Sequence, residues 1–186
     1  MPIHVIAAGF DPFHTHRFNP SQTSVEQLPD TVKIDEEHTA LVAKLVLPTC
    51  CQGAWDCLRP AVDAVREQPF FVLLSGLAES RDRIYLERFA LNVRQYRIPD
   101  NAGHTHNDEY LEAGPDAIRT KVSVLELSGY LRKKRIPADV SNYAGAFICN
   151  ETYYRSLNRW QAQENCLGVL FVHLPPFRKY FKTLGK

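Results

Sequence analysis

The sequence predicts an α/β protein, a three-layer sandwich in which a largely parallel, twisted sheet is flanked by helices. Short apolar runs of strand length recur along the 186 residues, and segments with helical spacing and capping residues separate them. Strands that alternate with helices build parallel sheets, because two parallel neighbours need a long crossover between them.

Taken in order, Ile3 to Ala8 is the first buried strand, apolar at nearly every position as expected of a strand covered on both faces. Asn19-Pro20-Ser21 then places a capping residue before a proline at the first helical position and predicts a helix through about Leu28. Ala54 to Glu67 repeats Trp55, Leu58, Ala61, Val62 and Val65 on one helical face. Phe70 to Leu74 is the second strand. Residues 99–116, PDNAGHTHNDEYLEAGPD, form the one long polar stretch, a candidate lid or substrate-facing loop. A helix from Val122 to Lys134 ends in Lys133, Lys134 and Arg135, cations that suit a helix C-terminus. Ala138 to Val140 is the third strand; a helix bearing Phe147, Ile148, Cys149, Tyr153, Tyr154 and Leu157 follows, and Leu167 to Val172 is the fourth. With no repeat or linker, residues 1–186 read as one domain.

Composition is ordinary: 45% hydrophobic, 23% charged, net charge +1. That balance gives no global field for nucleic acid or an anionic membrane, so neither is an expected partner. Cys50, Cys51, Cys57, Cys149 and Cys166 are odd in number and lack a CxxC pair, which suits reduced thiols in a cytoplasmic protein. Apolar runs break within about eight residues, far short of the ~20 a spanning helix needs.

Ligands of open α/β sheets bind beyond the carboxyl ends of the strands. Here those ends carry Gly9-Phe10-Asp11-Pro12-Phe13, Gly76-Leu77-Ala78, Ser141 to Gly145 followed by Cys149, and His173-Leu174-Pro175. A thiol near a helix N-terminus sits in a positive potential that favours thiolate, and a strand-end imidazole could serve as its base. A buried structural cysteine and a structural histidine are the competing readings, and the pairing carries the inference.

These strings also resemble the pyroglutamyl peptidase type I (pyrrolidone-carboxylate peptidase) family over nearly the whole length. The resemblance rests on GFDPF at Gly9–Phe13, NPS at Asn19–Ser21, LPT at Leu47–Thr49, GLA with Arg81, ERFALN at Glu87–Asn92, RIPDNAG at Arg97–Gly103, GPDA at Gly114–Ala117, SNYAGAFICN at Ser141–Asn150 and FVHLP at Phe171–Pro175. It implies a cysteine exopeptidase that removes N-terminal pyroglutamate from peptides without a cofactor or metal, with Cys149 as nucleophile, His173 as base and Glu87 as the carboxylate that orients it. Asp100 is the alternative carboxylate. It further implies Arg97 near the oxyanion and Phe10, Phe13, Asn19, Thr49, Ile98, Phe147 and Ile148 around the substrate ring, although Asn19 as a helix cap and the phenylalanines as core need no ligand. The family commonly forms homodimers or homotetramers.

Against the family pattern, His14, Glu79-Ser80, Tyr85 and Tyr143 replace smaller residues, and the chain stops about where the family continues into a C-terminal helix, so that helix is expected to be missing, with Pro176 to Lys186 a solvated chain end or a remnant of that helix. These differences keep a binding-only homologue without turnover as the alternative. A nucleoside phosphorylase-like reading lacks a glycine-rich phosphate loop. The pairs His14-Thr15-His16 and His104-Thr105-His106 have the spacing of zinc ligands but no rigid frame, and loop histidines are the simpler account.

Overall fold

The computed structural model describes residues 2–185. In chain order the elements are β1 (Ile3–Phe10), α1 (Pro20–Glu26), β2 (Thr31–Lys33), β3 (Thr39–Leu47), α2 (Cys51–Asp63), β4 (Phe70–Leu77), β5 (Ile84–Glu87), β6 (Phe89–Leu91), β7 (Ala117–Arg119), α3 (Val124–Lys133), β8 (Ala138–Ser141), α4 (Ile148–Trp160), β9 (Cys166–Leu174) and α5 (Phe177–Thr183). Seven strands form one sheet in the order β2-β3-β1-β4-β9-β5-β8, while β6 and β7 make a separate antiparallel ribbon. The pairs β1–β3, β1–β4, β4–β9 and β5–β8 are parallel; β2–β3 and β5–β9 are antiparallel.

Alternation along the strands sorts the helices into two layers. Ile6, Ala8, Phe10, Val72, Leu74, Val169 and Phe171 pack with Leu58 and Val62 of α2 and Tyr153, Leu157 and Trp160 of α4. Leu86 and Leu170 face the opposite way and pack on Val124 of α3. Gly9 also faces that second layer: a Cβ there would meet the Ser21 carbonyl at 2.3 Å, so only glycine lets α1 lie this close to β1.

The four expected strands and the first helix stand where the apolar runs and the Asn-Pro-Ser cap put them. Other segments differ, each for a physical reason. β3 escapes the apolar-run criterion because it lies near the edge and exposes Leu41 and Val46, burying only Ala40 and Leu47. α2 begins one turn earlier than its apolar face suggests, because Asp100, distant in sequence, caps it by accepting the Cys51 N–H at 3.1 Å. Of the two readings of the tail after Pro176, a short helix is the one found: residues 177–183 form α5, held where Phe177 meets Phe18, Lys179 reaches the Glu79 carbonyl and Thr183 reaches that of Asp82. The polar stretch 99–116 lacks helix, and Asn92 pins it by accepting the Leu111 N–H and donating to the Glu112 carbonyl. No helix among the described residues is long and apolar enough to cross a membrane.

Candidate active site

Where β1, β3, β4 and β9 end, their continuations surround a cavity of about 180 Å³ lined by Phe10, Phe13, Asn19, Thr49, Leu77, Ala144, Phe147, Cys149 and His173. Cys149 is the second residue of α4, whose N-cap is Phe147, so its N–H belongs to the set with no partner inside the helix. The helix starts here because the Ala144-Gly145 turn, with Gly145 at φ +89°, redirects the chain leaving β8. Gly76 leaves room for the thiol: it is paired with His173 across β4–β9, and a Cβ on it would stand 2.8 Å from Cys149 Sγ.

His173 is buried near the end of β9, and its Nδ1 lies 2.7 Å from Oε1 of Glu87. The contact is a cross-strand diagonal. β5 runs antiparallel to β9 with Tyr85 opposite His173, which sets Glu87 two residues along on the same face. Glu87 is 1% exposed, and its other oxygen, Oε2, is buried without a hydrogen-bond partner among the described residues. The carboxylate is therefore directed at the imidazole. Burial by itself would push the His173 pKa down, but the Cys149 sulfur and Glu87 outweigh it and raise it to about 9. A proton at neutral pH thus rests on the ring.

Asp100, the alternative carboxylate, is engaged elsewhere. Its oxygens accept the N–H groups of Cys51, Ala102 and His104, and although burial opposes its charge, these amides hold its carboxyl below the usual range. Arg97 and Ile98 line an adjoining cavity of about 270 Å³ with Gln95, Tyr143, Gly145 and Ala146; Phe147 is the wall common to both. Ile148 turns into the core, fully buried, because successive helical residues point about 100° apart. Asn19 caps α1 by accepting the Ser21 N–H and donates one amide hydrogen to the Asp11 carbonyl, which leaves its second hydrogen for the cavity. Thr49 is held by Asp11 through both its N–H and its hydroxyl.

The sequence profile of the pyroglutamyl peptidase family matches residues 3–181. The chain belongs to the pyroglutamyl peptidase family. It is 34% identical to the pyrrolidone-carboxylate peptidase of Finegoldia magna over 172 residues, 92% of this chain and 78% of the relative. The pyrrolidone-carboxylate peptidase of Bacillus subtilis is likewise 34% identical over 92% of this chain and 77% of its own length. Among solved structures, the pyrrolidone carboxyl peptidase of Fervidobacterium islandicum superposes with a TM-score of 0.82 at 34% identity, covering 93% of this chain and 81% of that one. The enzyme from Thermococcus litoralis gives 0.84 at 30% identity over 94% and 77%.

Sequence reasoning missed what positions Phe147. Its ring meets Tyr96 edge-on with centroids 4.7 Å apart, and the Tyr96 hydroxyl donates to Glu151 Oε2 at 2.7 Å. Glu151 is buried and is also paired with Arg94 at 2.8 Å and Arg155 at 3.0 Å. Only the Glu151–Arg155 pair, one turn apart on α4, is local; Arg94 and Tyr96 lie more than 50 residues away in sequence and are brought to Glu151 by the fold.

Proposed function

We propose that this chain hydrolyses the amide bond that follows an N-terminal pyroglutamate, with Cys149 as nucleophile, His173 as acid and base, and Glu87 orienting the ring. The observation that carries the proposal is the Glu87–His173 contact of 2.7 Å at the floor of the cavity that Cys149 also lines. A pyroglutamyl ring is flat, small and uncharged, since lactam formation has consumed its amine. The cavity suits it. At about 180 Å³ it is smaller than the ~300–1,000 Å³ of drug-sized sites, with Phe10, Phe13 and Phe147 as apolar walls and Asn19 and Thr49 as its polar residues.

In the mechanism, the Cys149 thiolate adds to the pyroglutamyl carbonyl carbon and forms a tetrahedral oxyanion. The Cys149 N–H at the start of α4 would donate to it, and Arg97 would have to reach it across Phe147 from the adjoining cavity. As the C–N bond breaks, His173 gives its proton to the leaving amine, and the shortened peptide departs. Water then attacks the thioester, His173 takes its proton, and pyroglutamate is released with the imidazolium–thiolate pair restored. Glu87 holds the ring tautomer and balances its charge.

The deciding experiment is hydrolysis of a fluorogenic pyroglutamyl amide by the purified protein and by Cys149→Ser. Turnover should fall on the order of 10³-fold or more in the variant. Equal rates would remove the thiol mechanism, and no turnover by the parent protein, with the amide still bound, would favour a homologue that binds without cleaving.

A further inference from the structure

Two residues after Thr49, the first residue of α2 meets the turn that opens the polar stretch 99–116. Three side chains of different chemistry converge there. Cys51 Sγ lies 3.9 Å from His104 Nδ1, which lies 3.3 Å from Asp100 Oδ2, and all three atoms fall within 4.8 Å of one another. Among the described residues this is the one group of three or more metal-ligating side chains that comes together. The two HxH pairs do not: His16 stands against Glu79 and His106 against Glu109.

Tetrahedral zinc, with a Zn–S distance of about 2.3 Å and Zn–N and Zn–O distances of about 2.1 Å, holds nitrogen and sulfur about 3.6 Å apart and nitrogen and oxygen about 3.4 Å apart. The observed separations are within a few tenths of an ångström of both. A hydrogen bond explains them less well. At 3.3 Å the His104–Asp100 contact is longer than the ~2.7–2.9 Å of a charge-assisted bond. Asp100 is buried and fixed by three backbone amides, whereas the His104 side chain is 56% exposed and leaves a fourth position open to water.

We infer that Cys51, Asp100 and His104 form a binding site for a zinc-class divalent ion, separate from the Cys149 cavity. Mixed sulfur, nitrogen and oxygen ligands in tetrahedral spacing select zinc or cobalt over calcium or magnesium, which take oxygen ligands in higher number. The ion would clip the β3–α2 turn to the 100–104 turn. Those turns are already joined by the Asn101 N–H on the Thr49 carbonyl, and Asn101 also reaches the Pro12 carbonyl, so the clip would brace two segments that border the cavity.

The test uses full-length protein carrying Cys149→Ala, so that the cavity thiol contributes no metal binding, titrated with Co²⁺ and Zn²⁺ after chelator treatment. One equivalent of Co²⁺ should give a near-ultraviolet thiolate-to-metal charge-transfer band, absent when Cys51→Ala is added and retained with Cys50→Ala. Adding the surface change His104→Ala instead, which spares the core, should weaken Zn²⁺ binding by about 100-fold. A hundredfold excess of Zn²⁺ over Kd should raise Tm by about 8 °C in the Cys149→Ala protein and not in Cys149→Ala/Cys51→Ala. No charge-transfer band in the Cys149→Ala protein, or a band that survives loss of Cys51, overturns the inference.

Discussion

Gly76 shows how narrowly single residues fix the chemistry. Its missing side chain holds the space that Cys149 Sγ and the edge of Phe171 occupy, at 2.8 and 2.9 Å from where a Cβ would stand. A thiol at the end of a rotatable bond yields before a sheet backbone does. Gly76→Ala should therefore displace the sulfur and lower kcat on the order of 10²-fold while the protein still folds, as steady-state kinetics and thermal unfolding of the same sample would show. Glu87 acts through charge. It is among the groups that raise His173 to about 9, so kcat/KM should fall as pH rises through that region and the proton needed by the leaving amine is lost. In Glu87→Gln that alkaline limb should move to lower pH and kcat should drop by at least about 10²-fold. An unmoved limb would show that the carboxylate does not tune the ring.

The elements that present these residues are joined by polar anchors from distant parts of the chain. Asp100 caps α2 and organises its own turn, accepting N–H groups from Cys51, Ala102 and His104. Asp100→Ala in metal-free protein would strip the cap and leave the Cys51, Ala102 and His104 amides without their acceptor, at a cost of about 2 kcal/mol and about 6 °C in Tm. α4 is tied down by Glu151 between Arg94, Arg155 and Tyr96. Removing one member of a buried charge cluster strands the others, so Glu151→Ala should cost about 3–5 kcal/mol. Because Tyr96 also backs Phe147, KM for the pyroglutamyl amide should rise in Tyr96→Phe, where the anchoring hydroxyl is lost and the ring kept. At this scale the sequence was partly legible. The Asn19 cap is local and announced α1, whereas the Asp100 cap of α2 and the Asn92 clasp on the polar stretch link residues far apart and left no local trace.

Across the whole molecule, the fold couples the active site to stability. A His173 pKa raised in the folded state means that folding favours the protonated ring; this contribution is fully present below the unfolded value of about 6.5 and is lost as pH rises through about 9. Tm should fall over that interval in the parent protein and less so in Glu87→Gln, a difference that calorimetry across the pH range would measure. By itself the sequence determined the alternation of strands and helices, the strand ends at which chemistry gathers, and, through GFDPF, SNYAGAFICN and FVHLP, the family. Those features are written in contiguous residues, where hydrophobic periodicity and turn chemistry act. Only the tertiary structure decided that Glu87 and not Asp100 meets His173, that Gly76 clears the space for the thiol, and that Cys51, Asp100 and His104 share one point in space. Each depends on strand order and register, here the antiparallel placement of β5 beside β9, which arises from packing the two layers against the sheet and has no signature in any short stretch of chain.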